Sequence, residues 1–204
     1  MNVLHRNAVE QDLREAMASG DWEAVERIMP VLDRLPPNPA PSLVGAALWY
    51  AEQGFRVFPC SPGSKVPRKG SAGCKDATSD TEQVRAWWKA DPYSNVAIAT
   101  GYLVDVVDFD GLVGHEAWAA YWAAHPDQDD GSLAPGSALL ATVSTPRPGG
   151  LHAYVRAAGE GNGQRLMAGV DYRGLGGYVL APPSRTDQGT YQFLRPLQPG
   201  LSPW

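Results

Sequence analysis

Four prolines crowd into residues 36–41, and this cluster constrains the fold more than any other feature of the chain. Proline lacks a backbone N–H and fixes φ, so the segment cannot continue a helix and forms a stiff, extended linker. It predicts a helical appendage over residues 1–35 and a main domain over residues 42–204. Within the appendage, Asp21 is the expected N-cap of a second helix, which Pro30 is expected to kink or shorten.

The main domain is predicted to be α+β, because helical patterns cluster early and strand patterns cluster late. One helix begins after Ser42 and stops at Gly54, and another begins at a capping box over residues 80–83. Between them a strand over residues 55–59 leads into a long polar loop. Later strands are predicted near residues 95–99, 103–109, 138–144, 151–156, 168–173, 177–181 and 190–194.

Composition narrows the class of protein. Hydrophobic residues make up 44% of the chain, which is enough for a core. No run approaches the roughly 18 apolar residues of a membrane span, so we expect a cytoplasmic protein with no membrane partner. The two cysteines, Cys60 and Cys74, are far apart, and no Cys/His cluster accompanies them. This pattern predicts neither a disulfide scaffold nor structural zinc.

Charge is distributed unevenly along the chain, although its net value is only −5. Residues 91–140 hold eight acidic side chains and neither Lys nor Arg. The flanking segments, residues 55–90 and 141–204, carry net charges of +4 and +3. The pattern fits a metal-binding centre between surfaces that meet phosphates, and it equally fits chance clustering on a solvated surface.

The acidic segment contains a strand pattern that ends in Asp108-Phe109-Asp110. Side chains alternate along a strand, so Asp108 and Asp110 are predicted to share one face while the alternate residues point to a core. Two neighbouring carboxylates repel each other, and a bound Mg²⁺ or Mn²⁺ is the natural remedy. Turns and exposed surfaces also produce this motif. Asp105 falls on the opposite face and is predicted to have no part in the chemistry.

Two later segments carry further candidate groups. A glycine-rich turn over residues 144–150 precedes a strand in which His152, Tyr154 and Arg156 share a face. Glycines let backbone amides approach a phosphate closely, so an imidazole beside this turn fits a triphosphate site. A structural histidine is the alternative. Asp171 and Arg173 share a face of the next hairpin, which by itself also fits an ordinary turn with a surface acid and base.

Together these segments resemble the bifunctional primase–polymerase domains of the archaeo-eukaryotic primase superfamily, of the kind found in plasmids and phages. The resemblance runs from about Ala46 to Phe193. It rests on many ordered matches, among them Gly54-Phe55-Arg56-Val57-Phe58-Pro59, Lys65-Val66-Pro67, Asp76-Ala77-Thr78-Ser79-Asp80, Trp87-Trp88, Asn95 to Gly101, Asp108-Phe109-Asp110, Thr145 to His152 and Gly169-Val170-Asp171.

The resemblance implies a two-module primase–polymerase fold whose RRM-like mixed or antiparallel sheet carries the acidic site. It implies template-directed nucleotidyl transfer with two Mg²⁺ or Mn²⁺ ions, a single-stranded DNA template with its primer, and an NTP or dNTP. The implied catalytic residues are Asp108, Asp110 and Asp171 as metal ligands and His152 on the phosphates of the incoming nucleotide. Nucleotide or template binding is further implied for Lys65, Ser144, Thr145, Arg147, Arg173 and Ser184.

Two other function classes stay open on the sequence alone. A non-catalytic nucleic-acid-binding replication module would keep the fold without the chemistry; the presence of all three acids and His152 argues against it. A metal-dependent nucleotide-sugar transferase also uses Asp-x-Asp, but the His152 and Asp171 segments have no place in that reaction. The chain contains no Gly-Lys-Ser/Thr phosphate-binding motif, so any helicase that works with it is expected to lie outside this chain.

Overall fold

The computed structural model describes residues 9, 12, 16, 21–34, 42–125 and 139–197. The chain divides into two compact units, Met1–Pro41 and Ser42–Trp204. The predicted proline-rich linker, residues 36–41, lies outside the described residues, as does most of the first predicted helix.

The first unit contains helix α1 (Trp22–Arg34). Asp21 caps this helix as expected, because its carboxylate accepts the backbone N–H of Ala24 at 3.0 Å. That amide is one of the donors that every helix start leaves without an intrahelical partner. Pro30 lies inside α1, and the helix continues past it to Arg34, so this proline does not end the helix.

The second unit contributes three helices, α2 (Leu43–Glu52), α3 (Thr81–Ala90) and α4 (Leu112–Ala124). The predicted caps of α2 and α3 are present. Ser42 Oγ accepts the N–H of Gly45 at 3.0 Å, and Asp80 accepts the N–H of Glu82 at 2.9 Å. Within the described residues, no helix combines the length and the apolar character that a membrane crossing requires.

The strands form sheets in which neighbouring strands run antiparallel. One sheet has the order β1-β2-β8, a larger one has the order β11-β4-β5-β3-β7-β6, and β9 pairs with β10. The bounds are β1 (Val57–Cys60), β2 (Asn95–Ala99), β3 (Val104–Phe109), β4 (Leu139–Ser144), β5 (Leu151–Arg156), β6 (Gln164–Met167), β7 (Val170–Arg173), β8 (Tyr178–Leu180), β9 (Arg185–Thr186), β10 (Gly189–Thr190) and β11 (Gln192–Arg195).

Helices combined with antiparallel sheets confirm the predicted α+β class, whereas the RRM-like description of the sheet stays a prediction. The strand β6 was not expected from the sequence. It is the edge strand beyond β7 and pairs on one side only. An edge position does not require the alternating apolar pattern by which central strands are recognised.

The two faces of the larger sheet pack into two different hydrophobic cores. On β3, Val104 and Val106 pack into a large core shared with α2, α3 and the smaller sheet. Val107 and Phe109 pack on the other side into a smaller core against Trp118 of α4. Because directions alternate along a strand, this division turns Asp108 towards the smaller sheet.

Candidate active site

A row of three polar side chains crosses the middle of the larger sheet. Asp108 on β3 lies directly opposite His152 on β5 and directly opposite Asp171 on β7. Directly paired residues of antiparallel strands project from the same face. The register therefore brings together, on the face turned towards the smaller sheet, three groups that lie far apart in the sequence.

Arg173 ties two of these groups together. Its Nη2 donates to Oδ2 of Asp108 at 3.1 Å and to Oδ2 of Asp171 at 3.0 Å. The distance between the two Oδ2 atoms therefore cannot exceed the sum of these two hydrogen-bond lengths. All three side chains are mostly buried, at 17–30% exposure, so solvent screens this charge cluster only weakly.

His152 completes the row as a buried and neutral group. Its Nε2 lies 3.5 Å from Oδ1 of Asp108, and the residue is only 4% exposed. Burial lowers the pKa of His152 to about 4; the Asp108 carboxylate opposes this shift, whereas Lys65 and Arg173 add to it. Near neutral pH the ring is uncharged, so it offers a phosphate one N–H donor rather than a positive charge.

Asp108 and His152 of this row line a cavity of about 250 Å³ between the two sheets. Lys65 reaches it from the loop after β1, with its carbonyl held by the hydroxyl of Tyr178 at 3.0 Å and the thiol of Cys60 at 3.3 Å. Its Nζ lies 6.0 Å from the ring centroid of Tyr191, which lies 5.6 Å from that of His152. The lining residues are Lys65, Asp108, His152, Asn162, Arg173, Gly176, Gly177, Tyr178, Val179, Leu180 and Tyr191.

Asp110 lies one residue beyond the end of β3, so the alternation that predicted its direction stops before it. Its N–H donates to the carbonyl of Gly169 at 2.8 Å, and its carboxylate pairs with Nη1 of Arg147 at 2.7 Å. The side chains of Asp110 and Arg147 are 47% and 57% exposed. Neither residue is among those that line the cavity described above.

The glycine-rich turn between β4 and β5 is closed by its own hydrogen bonds. The Thr145 N–H donates to the carbonyl of Gly150 at 3.0 Å, and the Gly150 N–H donates to the carbonyl of Arg147 at 2.8 Å. A Cβ on Gly150 would overlap Oγ1 of Thr145, so a side chain there would force Thr145 to shift. Ser144 Oγ donates to the carbonyl of Gln192 on β11 at 3.3 Å. Ser144 and Thr145 therefore support the turn, and neither lines the cavity.

Ser184 is fully buried and lies away from the cavity lining. Its Oγ accepts the N–H of Val96 at 2.8 Å and donates to the carbonyl of Val96 at 3.1 Å. The N–H of Tyr191 donates to the carbonyl of Ser184 at 2.8 Å. Ser184 thus ties the segment after β8 to β2 and helps to place Tyr191, a cavity residue that sequence analysis missed.

Asn162 is a second cavity residue that sequence analysis missed. It lies between β5 and β6, in a stretch where glycine alternates at positions 159, 161 and 163. Such a stretch signals a turn, but the cavity that a turn reaches depends on tertiary packing. In the sequence, the one signal of this position is an asparagine with a glycine on each side.

Asp105 has a structural role that its predicted face did not suggest. It is fully buried, and its Oδ2 accepts the hydroxyl of Tyr172 at 2.5 Å and the N–H of Ala158 at 2.7 Å. Burial and this hydrogen bond raise the pKa of Tyr172. Asp105 therefore joins β3 to β7 and to the segment after β5, on the face turned away from the cavity.

The donor chemistry partly fits a hard divalent cation. Asp108 and Asp171 present carboxylate oxygens side by side, the ligand type that Mg²⁺ and Mn²⁺ prefer. Among the described residues, no group of three or more His, Cys, Asp or Glu side chains is arranged to hold a metal ion. Asp108 and Asp171 are the two carboxylates that could share a cation, and Arg173 is bonded to oxygens that such a cation would use.

Comparison with known proteins identifies the family. Residues 47–203 match the family described as bifunctional DNA primase/polymerase, N-terminal. No curated protein matches the chain. The family match spans every residue that lines the cavity, and it makes the chain a nucleotidyltransferase of the primase and polymerase class. The chain therefore belongs to the family of bifunctional DNA primase/polymerase N-terminal domains.

Proposed function

We propose that this chain carries out template-directed nucleotidyl transfer by a two-metal mechanism, priming and extending DNA in plasmid or phage replication. Its substrates are a single-stranded DNA template with its primer and an NTP or dNTP. The row formed by His152, Asp108 and Asp171, beside a cavity that Lys65 and Arg173 line, is the observation that supports this most directly.

Two Mg²⁺ or Mn²⁺ ions held by Asp108, Asp110 and Asp171 would supply charge stabilisation at the attacking and leaving oxygens of the transfer. Asp108 and Asp171 are cross-strand neighbours, but each of the three acids is paired with an arginine. Arg173 and Arg147 therefore have to leave their carboxylates when these acids act as ligands. The released guanidinium groups then become donors for the negative charge of the triphosphate.

The remaining cavity residues bind and orient the nucleotide. Lys65 brings a positive charge to the cavity, and neutral His152 donates one N–H to a phosphate oxygen. The packing that buries His152 also holds its ring in place, so this donor needs no reorganisation when the nucleotide arrives. With the nucleotide held in this way, the 3′-hydroxyl of the primer meets the α-phosphorus in line.

Extension of a labelled primer on a single-stranded template, with dNTPs or NTPs and Mg²⁺ or Mn²⁺, tests the proposal. Asp108→Ala and Asp171→Ala are expected to reduce extension to background, because each removes a metal ligand. His152→Ala is expected to raise the nucleotide KM and to regain activity at high nucleotide concentration. Glu82→Ala, which removes an exposed acid at the start of α3, is the charge-matched control.

Thermal melting of each variant separates lost chemistry from lost folding. Full extension by Asp108→Ala would contradict the assigned catalytic role. A wild-type chain that binds primer–template but adds no nucleotide would instead be a non-catalytic binding module.

A further inference from the structure

The segment that carries Asn162 is fastened to the turn between β7 and β8. The N–H of Asn162 donates to the carbonyl of Leu175 at 3.0 Å, and the N–H of Leu175 donates to the carbonyl of Glu160 at 2.7 Å. The N–H of Gly163 donates to the carbonyl of Tyr172 at 3.2 Å. These backbone bonds hold Asn162 at the cavity wall even though the residue belongs to a loop.

The side chain of Asn162 lies where a side chain at position 177 would extend, and it fits there because residue 177 is glycine. A Cβ on Gly177 would overlap Oδ1 of Asn162 and would also lie 2.9 Å from Oγ1 of Thr100. The carbonyl of Gly177 is fixed in turn, because it accepts the N–H of Thr100 at 3.0 Å. The amide of this exposed residue therefore lies against the backbone of Gly177, and within the described part of the chain it has no protein hydrogen-bond partner.

The two ends of the cavity differ in charge. On the β5 side, Lys65 and His152 both lie near the ring of Tyr191. On the β7 side, the guanidinium of Arg173 is neutralised by two carboxylates, and beyond it lies the uncharged amide of Asn162. The cations of the cavity lining, Lys65 and Arg173, thus lie at the acidic row or on its β5 side, and the far end carries only the uncharged amide of Asn162.

From this asymmetry we infer that Asn162 binds the neutral nucleoside of the incoming nucleotide, an inference that rests on the proposed function. A nucleotide has an anionic tail and an uncharged sugar and base, and its reacting α-phosphorus lies between them at the acidic row. The tail extends towards Lys65 and His152, so the nucleoside extends towards Asn162. An amide both donates and accepts hydrogen bonds, which suits a sugar hydroxyl or a base edge.

The test compares binding of dNTPs, NTPs and inorganic tripolyphosphate to the full chain, with Mn²⁺ present, in Asn162→Ala and wild type. Loss of one hydrogen bond between uncharged groups is expected to weaken nucleotide binding about 3- to 10-fold. Tripolyphosphate lacks a nucleoside, so its affinity is expected to be unchanged. An equal loss for nucleotides and tripolyphosphate, or no loss for either, overturns the inference.

Gly177→Ala provides an independent variant, because the added methyl group displaces the amide of Asn162. We expect it to weaken nucleotide binding in the wild-type background and to add little in the Asn162→Ala background. Fully additive effects contradict a shared action through Asn162. Gly161→Ala is the matched control on the same loop, because its Cβ meets open space and its φ is not positive.

The nucleotide panel identifies the group that Asn162 meets. A loss that differs between NTPs and dNTPs but not among the four bases indicates a sugar hydroxyl, and a loss that differs among bases indicates a base edge. Binding is measured without primer, so the result does not depend on catalysis. If wild type fails to extend primers while Asn162→Ala still weakens nucleotide binding selectively, the proposed function fails and the inference stands.

Discussion

Asp108 and Asp171 are direct cross-strand partners, and a single nitrogen of Arg173 donates a hydrogen bond to each carboxylate. Two carboxylates this close repel each other, and the guanidinium offsets that repulsion. The same contact makes Arg173 a competitor of any cation that uses these oxygens. Arg173 is therefore expected to weaken metal binding and to strengthen nucleotide binding.

Arg173→Ala is expected to bind Mn²⁺ more tightly than wild type in the absence of nucleotide, by on the order of 10-fold, because it removes the competing cation. It is also expected to raise the nucleotide KM. Isothermal titration with Mn²⁺ measures the first effect, and Arg156→Ala, which removes an exposed arginine at the end of β5, controls for net charge. Unchanged or weaker Mn²⁺ binding in Arg173→Ala contradicts the competition.

Asp105→Ala is expected to lower the free energy of unfolding by about 2–4 kcal/mol, because it leaves the buried hydroxyl of Tyr172 and the N–H of Ala158 without their acceptor. Tyr172→Phe removes only one of these two bonds and is expected to cost about 1 kcal/mol. Urea denaturation measures both. The nucleotide KM of folded Asp105→Ala should match that of wild type, and a raised KM would place Asp105 at the site after all.

Stability is expected to fall in alkaline solution. Burial raises the pKa of Cys60 from 9.0 to about 12, and burial also raises the pKa of Tyr154 and Tyr191 above 10.0. The unfolded chain ionises these groups at lower pH than the native protein does. The stability that these groups contribute is therefore fully present below about pH 9, and it is lost as the pH rises towards 12.

The urea midpoint measured at a series of pH values tests this prediction. It should be level around neutral pH and should decline above about pH 9. Cys60→Ala removes one of the groups responsible, so its decline should be shallower than that of wild type. A midpoint that stays level up to pH 11 would show that these groups ionise alike in both states.

The basic loop after β1 is divided between two cavities. Lys65 lines the first, whereas Arg68 and Lys69 line a second cavity of about 230 Å³ together with Trp87. Arg68 Nη1 also donates to the carbonyl of Trp87 at 3.5 Å, near the C-terminal end of α3. Arg68 thus has a structural contact, and Lys69 is the cleaner probe of DNA binding.

Lys69→Ala is expected to weaken binding to primer–template and to reduce the salt slope by about one, because it removes one phosphate contact and one released counterion. Arg68→Ala should do the same and should also lower the stability by about 0.5–1 kcal/mol, because a cation at a helix C-terminus is lost. Fluorescence anisotropy over a range of salt concentrations measures the slopes. If neither variant changes the slope, the loop lies outside the DNA path.

Some of this architecture could be predicted from the sequence because it depends on local pattern. The alternation of Val107 and Phe109 with Asp108 predicted that they lie on opposite faces of one strand. In the larger sheet, Val107 and Phe109 pack into the smaller core, and Asp108 lies on the other face. The caps at Ser42 and Asp80 are likewise decided within a few residues of the chain.

Other features depend on packing that no short segment contains. The end of β3 at Phe109 leaves Asp110 outside the alternation, and only the folded sheet reveals where the strand stops. Asn162 and Tyr191 reach the cavity from loops that are held by distant backbone groups. A serine hydroxyl suits a substrate or a buried carbonyl equally well, and at Ser184 the partner is the backbone of Val96.

Arg173 ends β7 in the larger sheet and Tyr178 begins β8 in the smaller one, so only Gly174–Gly177 separate the two walls of the cavity. Five peptide steps reach at most roughly 18 Å, which limits how far these two strand ends can lie from each other. A Cβ on Gly101 would overlap Leu175, so this short tether is also pinned from the side. Any change in the separation of these two strand ends therefore has to be taken up by the four residues that follow Arg173.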